Sequence, residues 1–256
     1  MQTVSVQGVN VPALGFGTWR LSGRECREAV ADALAVGYRH IDTARMYRNE
    51  TEVGQGVRDV QTPREDLFLV TKLWLDDYPR RKAERAIEDS LRQLNADYID
   101  LLLMHWPPSE TPVEETLDVM NVYRDKGDVL HLGVSNFSPK LTGQALETAP
   151  ILTNQIEYHP FKGQSEMVGF CQERDIMITA YSPVARGAVT KDPVIASIAE
   201  RHGKTPAQVT LRWLIQQAKV SAIPKAARPE HRRGNFDIWD FELSPDEMRA
   251  IRALGE

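Results

Sequence analysis

The chain has 256 residues, of which 42% are hydrophobic and 26% charged, and its formal net charge at pH 7 is −5. This length suits one α/β barrel domain over residues 1–256, and the composition provides a large core beneath an ordinary soluble surface. The acidic balance argues against a nucleic-acid or anionic-membrane partner, but it does not exclude a local basic pocket for a phosphate.

The N-terminal segment and the cysteines point to a cytoplasmic location. Residues 1–6 lack the basic region and apolar run of a signal peptide, and no apolar stretch reaches the length of a membrane span. Cys26 and Cys171 lie in separate predicted helices without metal-ligand spacing. We therefore expect reduced thiols and no metal site.

Strand-like segments follow a short N-terminal hairpin that we predict between Val4 and Leu14, around the turn Gly8–Pro12. Eight segments are predicted to be strands: Leu14–Gly17, His40–Asp42, Leu67–Lys72, Tyr98–His105, Val129–Ser135, Thr153–Glu157, Met177–Tyr181 and Ala222–Pro224.

Amphipathic segments separate these strands, and a last helix is predicted to begin at Ser244, which precedes a proline and two acids. The other predicted helices are Arg24–Val36, Arg80–Leu94, Val113–Lys126, Ser165–Arg174, Pro193–His202 and Pro206–Gln217. The alternation predicts a (β/α)8 TIM barrel with an N-terminal β-hairpin. A doubly wound open sheet is the alternative, but Gly15 and Gly17 are not followed by the third glycine of its dinucleotide-binding signature.

Four polar residues, Asp42, Tyr47, Lys72 and His105, stand at or just past the C-terminal ends of predicted strands. In a parallel barrel these ends meet on one face, where active sites are built. Each residue alone also has a structural explanation, as a cap, a packing aromatic, a solvated strand end or a structural histidine. Their joint occurrence favours a proton-donating site.

Ordered motifs along nearly the whole chain resemble the aldo-keto reductase family, including its bacterial aldehyde and 2,5-diketo-D-gluconate reductase-like members. The matching segments are Gly15–Trp19, Gly37–Ala44, Tyr47 with Asn49-Glu50, Thr71–Trp74, Asp100–Pro107, Gly133–Phe137, Asn154–Glu157, Tyr181–Pro183, Ile223–Lys225 and Phe241–Ser244. The resemblance implies reduction of a small carbonyl compound by a nicotinamide cofactor, and a monomer.

The resemblance places the family's catalytic tetrad on Asp42, Tyr47, Lys72 and His105. Hydride transfer to a carbonyl carbon leaves negative charge on oxygen, and a nearby acid must supply a proton. We expect Lys72 to lower the pKa of Tyr47, the general acid. Asp42 would hold Lys72 charged, and His105 would orient and polarise the carbonyl.

The resemblance also implies a nicotinamide site in which two side-chain amides and a hydroxyl satisfy the carboxamide and an aromatic ring stacks on the nicotinamide. The implied cofactor contacts here are Gly17, Thr18, Asp42, Ser135, Asn136, Gln155, Tyr181, Ser182 and Val184. A turn at Ser135-Asn136 and a polar interior role for Gln155 are the alternatives. We expect the pyrophosphate on Ser182 and the loop Val184–Asp192, which looks too short for a long clamp.

The implied pocket for a 2′-phosphate contains Lys225, Arg228, His231 and Asn235, with Arg232 nearby. It departs from the family pattern because Ala226 replaces a hydroxyl residue, His231 an arginine and Gly234 an acid. Two cations still suit a phosphate. We therefore expect NADPH to be preferred by a reduced margin, with measurable use of NADH. The alternative is that Arg228 and Arg232 are solvated charges at a helix start.

An aromatic substrate mouth is implied at Trp19, Tyr47, Trp74, His105 and Trp106. Such walls favour apolar or extended carbonyl compounds without strong selection. Many relatives carry a further C-terminal tail over this pocket, so we expect a more open site and a broad range of aldehydes, dicarbonyls and sugar-derived ketones. The alternative functions are a cofactor-binding regulatory subunit and a cofactor-free lyase that uses Lys72 as a Schiff-base amine.

Overall fold

The computed structural model describes residues 2–255, which begin with an antiparallel hairpin of β1 (Thr3–Val6) and β2 (Val9–Pro12). Gly8 makes the turn with a positive φ of 78°. At the tip, the backbone N–H of Gln7 donates to the carboxylate of Asp175 at 2.7 Å, just before a barrel strand begins. The predicted hairpin is confirmed, and it covers the N-terminal end of the barrel.

The eight strands that follow form one parallel sheet in which neighbours in sequence are neighbours in space. They are β3 (Phe16–Gly17), β4 (His40–Asp42), β5 (Phe68–Leu73), β6 (Ile99–Met104), β7 (Val129–Ser135), β8 (Ile151–Glu157), β9 (Met177–Tyr181) and β10 (Val220–Ala222). Beside β3, Leu14 pairs with Ala222, and the N–H of Gly15 donates to the Ala222 carbonyl at 2.8 Å. These contacts join the first and last strands, so the (β/α)8 barrel is confirmed.

The predicted bounds are correct for β4, β7 and β9, which are buried apart from Leu130, His131 and Tyr181. The last strand was placed two residues too late, at Ala222–Pro224 rather than Val220–Ala222. Pro224 has no backbone N–H and ends the ladder.

Within residues 2–255, ten α-helices surround the barrel or lie between its strands: α1 (Gly23–Val36), α2 (Glu50–Asp59), α3 (Arg80–Leu94), α4 (Val113–Lys126), α5 (Pro139–Thr148), α6 (Ser165–Glu173), α7 (Pro193–His202), α8 (Pro206–Ile215), α9 (Pro229–Phe236) and α10 (Pro245–Arg252). The cap predicted at Ser244 is confirmed, since its hydroxyl accepts from the N–H of Glu247 at 3.3 Å. Helices α2, α5 and α9 were not predicted.

Two glycines explain why α2 has a weak helical signal in the sequence. A Cβ on Gly54 would lie 2.2 Å from the carbonyl oxygen of Leu94, and one on Gly56 would lie 2.6 Å from that of Arg27. The glycines therefore let α2 pack closely against its neighbours. That requirement comes from tertiary contacts and outweighs helix propensity.

The hydrophobic core is continuous through the barrel and beneath the helices. None of the helices between residues 2 and 255 combines the length and apolar character that a bilayer crossing requires. The C-terminal strand ends meet at one face, which carries the site described next.

Candidate active site

Three neighbouring strands bring the predicted tetrad to the C-terminal face of the barrel. Asp42 ends β4, Lys72 lies near the end of β5, and His105 follows β6 directly. Tyr47 ends a 3-10 turn that leaves β4. The parallel order of the strands therefore places these four residues together.

Lys72 and Asp42 form a buried ion pair at the floor of the site. The Nζ of Lys72 donates to Oδ1 of Asp42 at 2.5 Å and to the carbonyl of Thr43 at 2.7 Å, and the two side chains are 0% and 2% exposed. The other Asp42 oxygen accepts from Nε2 of Gln155 at 2.8 Å. Burial lowers the pKa of Lys72, while the charge of Asp42 opposes that shift.

The phenol of Tyr47 lies above this pair, with its ring centre 5.2 Å from Nζ of Lys72. We expected Lys72 to lower the pKa of Tyr47, but the net shift in the structure has the opposite direction. Burial raises the pKa of Tyr47 well above its ordinary value, and the charge of Asp42 adds to the effect. The ammonium is already neutralised by Asp42, so the phenol keeps its proton.

His105 packs edge-on against Tyr47 and Trp74, with ring centres 5.6 Å and 5.1 Å away. Burial, together with the charge of Lys72, lowers the pKa of His105 to about 3, so the ring is neutral at physiological pH. Among residues 2–255, Nδ1 of His105 is buried without a hydrogen-bond partner. The tautomer with its proton on Nε2 avoids burying an unpaired N–H there.

The predicted carboxamide-binding side chains lie next to the tetrad and are linked to one another. Nδ2 of Asn136 donates to the carbonyl of His105 at 3.2 Å and to Oγ of Ser135 at 3.0 Å. The hydroxyl of Tyr181 donates to Oδ1 of Asn136 at 2.8 Å. Within the described chain, Oε1 of Gln155 makes no hydrogen bond, so accepting capacity remains for an amide.

The other residues that we predicted to contact the cofactor lie at the starts of loops. Thr18 is buried, and its N–H and hydroxyl both donate to the backbone carbonyl of Asp42 at 3.0 Å. A Cβ on Gly17 would lie 2.8 Å from the carbonyl oxygen of Ile223, so this backbone approach requires glycine. Ser182 has a positive φ of 49° and, with Val184, leads from β9 into the 3-10 turn Ala185–Lys191.

The predicted phosphate pocket is open to solvent. Lys225, Arg228 and His231 are exposed, and Asn235 is partly exposed. Nη2 of Arg228 lies 2.6 Å from Nε2 of His231, and Nε of Arg228 lies 3.3 Å from the carboxylate of Glu230.

Arg232 does not belong to this pocket, and its description as a solvated charge is also wrong. Its side chain is buried, and Nε donates to the carboxylate of Asp32 at 2.6 Å. Nη1 donates to the carbonyls of Ala226 and Ala227 at 3.1 and 2.6 Å. Arg232 therefore fixes the backbone that carries the pocket.

Of the three tryptophans predicted to form the aromatic mouth, Trp74 packs directly against a tetrad side chain. Trp74 lies against His105, whereas Trp106 is 41% exposed and held through its backbone, which exchanges hydrogen bonds with the hydroxyl of Tyr78. Trp19 is partly exposed and contacts the guanidinium of Arg20.

Asn49 organises the site, although the sequence suggested no role for it. Its side chain accepts from the hydroxyl of Thr43 at 2.7 Å and donates to the carbonyls of Thr18 and Leu21 at 3.0 and 2.9 Å. It thus joins the loops after β3 and β4. The motif Asn49-Glu50 was a usable signal, but its partners are distant in sequence.

The described residues provide no group of three or more His, Cys, Asp or Glu side chains arranged to hold a metal ion. The donors at this face are instead amides, hydroxyls, a phenol and cations, which are the groups that a nicotinamide dinucleotide requires.

Comparisons with known proteins agree with this geometry. The model of the aldo/keto reductase family matches residues 13–256. An aldo-keto reductase of Mycolicibacterium smegmatis is 43% identical, with 96% of this chain and 90% of that protein covered. The 9,11-endoperoxide prostaglandin H2 reductase of Trypanosoma cruzi is 41% identical, with 97% and 89% covered.

A solved structure is equally similar. A protein provisionally described as a 2,5-diketo-D-gluconic acid reductase B superposes with a TM-score of 0.98 at 43% identity, covering 100% of this chain and 92% of that one. The chain therefore belongs to the aldo/keto reductase family and is a nicotinamide-dependent oxidoreductase.

Proposed function

We propose that this chain reduces aldehydes and ketones to alcohols, with Tyr47 as the general acid. The observation that carries the proposal is a protonated phenol and a neutral imidazole packed edge-on at 5.6 Å above the buried Lys72–Asp42 pair. The family reduces carbonyls, and proton donation to a developing alkoxide is the task for which these groups are suited.

The side chains of the tetrad have separate roles in this mechanism. His105, neutral and protonated on Nε2, donates to the carbonyl oxygen and orients it. Tyr47 then transfers its phenolic proton to that oxygen as negative charge develops, because an alkoxide is a far stronger base than a phenolate. Lys72 stabilises the phenolate that remains, and Asp42 keeps the ammonium charged and in place.

The cofactor that we propose is NADPH, with measurable use of NADH. When bound, it supplies the hydride that reduces the carbonyl carbon. Gln155, Asn136 and Ser135 would hold the carboxamide, and the ring of Tyr181 would fix its face. Lys225 and Arg228 would bind the 2′-phosphate. Their exposure and the histidine at 231 support a weaker preference than a pocket with two arginines would give.

The proposed substrate range is broad and includes small aldehydes, dicarbonyls and sugar-derived ketones. The named relatives act on unlike compounds, an endoperoxide in one case and a diketo sugar acid in the other. The aromatic side chains Trp19, Trp74 and Trp106 would provide contact area without strong selection.

A carbonyl panel assayed with NADPH and with NADH tests this function. We expect cofactor oxidation with several carbonyls and a NADPH preference below about a thousandfold, equivalent to roughly 4 kcal/mol. Tyr47→Phe should lower kcat/KM by at least about a hundredfold while the protein stays folded.

Tyr98→Phe is the matched control, because Tyr98 precedes β6 at the opposite end of the barrel. Normal turnover by Tyr47→Phe would contradict the mechanism. Tight NADPH binding without turnover of any carbonyl would favour a cofactor-binding subunit instead.

A further inference from the structure

Three arginines stand in neighbouring loops at the catalytic face and have no role in the chemistry described above. Arg20 follows β3, Arg48 follows the turn that carries Tyr47, and Arg186 lies in the turn after β9. Because β10 separates β9 from β3 and β4 follows β3, these loops occupy one continuous side of the barrel mouth.

All three guanidinium groups are exposed. Within residues 2–255, none of them forms an ion pair or a side-chain hydrogen bond. Other arginines near this face are paired, as in Arg45 with Asp77 at 3.0 Å. In a chain with a net charge of −5, cations on neighbouring loops that form no ion pair among residues 2–255 are available for an anion.

Two of the arginines converge on the same ring. The guanidinium carbon of Arg20 lies 4.4 Å from the centre of the Trp19 indole, and that of Arg186 lies 6.0 Å from it. The nearby carboxylate of Glu157 is already held by Lys162 at 2.7 Å. Like charges on one aromatic ring repel each other, and an anion between them would relieve that repulsion.

The three arginines also share a backbone conformation. Arg20, Arg48 and Arg186 all have left-handed conformations, with φ of 63°, 54° and 53°. A positive φ is uncommon for arginine and is typical of residues in tight turns.

We propose that Arg20, Arg48 and Arg186 form an anion-binding rim that selects carbonyl substrates bearing a carboxylate. Arg48 directly follows Tyr47 in the chain, so an anion held there would keep the carbonyl of the same molecule near the phenol. The inference rests on the proposed reductase function. An anion could also come from the cofactor's pyrophosphate, and the test must separate these two sources.

Two aldehydes that differ in charge and by one methyl group provide the probe: 4-carboxybenzaldehyde and its neutral methyl ester. The ester is intrinsically the more electrophilic aldehyde, so a preference for the acid must come from the protein. We expect kcat/KM for the acid to exceed that for the ester by at least about tenfold at low salt and to fall toward equality at high salt.

Arg48→Gln should reduce the ratio of the two kcat/KM values to near one, and Arg48→Lys should keep part of it. Arg20→Gln and Arg186→Gln should each lower it severalfold. Arg85→Gln is the matched control, since Arg85 is exposed on α3 and its side chain forms no ion pair with the described residues, and it should leave the ratio unchanged. Dissociation constants for NADPH are measured for every variant.

A wild-type enzyme that reduces both aldehydes equally well would overturn the rim while leaving the reductase function intact. The same holds if Arg48→Gln keeps the full preference. If the variants leave the ratio unchanged but weaken NADPH binding, the anion is the cofactor's pyrophosphate and the substrate assignment is wrong. A wild type that reduces no carbonyl would instead contradict the proposed function itself.

Discussion

Around Lys72 every charged atom has a partner inside the barrel, whereas around Arg228 the charges face solvent. The Lys72–Asp42 pair is almost completely buried, and Gln155 and Thr43 complete its hydrogen bonds. The contact of Arg228 with Glu230 joins side chains that are 66% and 62% exposed. The end that carries Lys72 is thus held by buried, paired charges, while the end that we propose for the phosphate is held by exposed contacts.

Asp42→Asn should show the largest effect of this difference, because it leaves the ammonium of Lys72 buried without its counter-charge. We expect a loss of about 3 to 5 kcal/mol in the free energy of unfolding, measured by urea denaturation. Glu230→Gln breaks the exposed pair and should cause no measurable change. A loss below about 1 kcal/mol for Asp42→Asn would show that the pair is not held as tightly as its burial indicates.

The same contrast explains what the sequence could predict. Strands β4, β7 and β9 were placed correctly because short, largely apolar segments are visible locally. The tetrad followed from strand ends, which the parallel topology brings to one face. Local pattern was therefore sufficient wherever the barrel itself sets the position.

Features that depend on distant partners were missed or wrong. Arg232 was placed near the phosphate pocket or in solvent, because nothing near it in sequence reveals its partner Asp32, 200 residues away. The direction of the Tyr47 pKa shift depends on burial and on the distance between charges, which no motif encodes. Helix α2 was hidden by glycines that serve packing against Leu94 and Arg27.

His231→Arg should strengthen binding of the 2′-phosphate at the exposed site around Arg228. Nη2 of Arg228 lies 2.6 Å from Nε2 of His231, so one nitrogen of the guanidinium is already engaged. A second arginine would add a permanent cation and free that donor for a phosphate. We expect the ratio of kcat/KM with NADPH to that with NADH to rise about tenfold, equal to roughly 1.4 kcal/mol.

Arg228→Gln should change the same ratio in the opposite direction. Arg233→Gln is the control, because Arg233 is exposed on the same helix but lies toward Asp32 at 3.6 Å. If neither His231→Arg nor Arg228→Gln moves the ratio, the 2′-phosphate is not bound at this loop.

The smallest expected effect is that of pH, because kcat/KM for carbonyl reduction should not change across the neutral range. Burial and the Lys72 charge lower the pKa of His105 to about 3, so its ring is neutral at every pH above that value. Burial and the Asp42 charge raise the pKa of Tyr47, so its phenol is protonated below the ordinary value and for some distance above it. With NADPH saturating, kcat/KM for the carbonyl should therefore stay level between about pH 6 and 9.

A decline in kcat/KM toward high pH with an apparent pKa below about 9 would contradict this expectation. It would mean that the ammonium of Lys72 acts on the phenol more strongly than on Asp42 once a ligand is bound. Ligand binding would then change the pairing of Lys72 with Asp42, and the contrast with the exposed charges around Arg228 would not hold during the reaction.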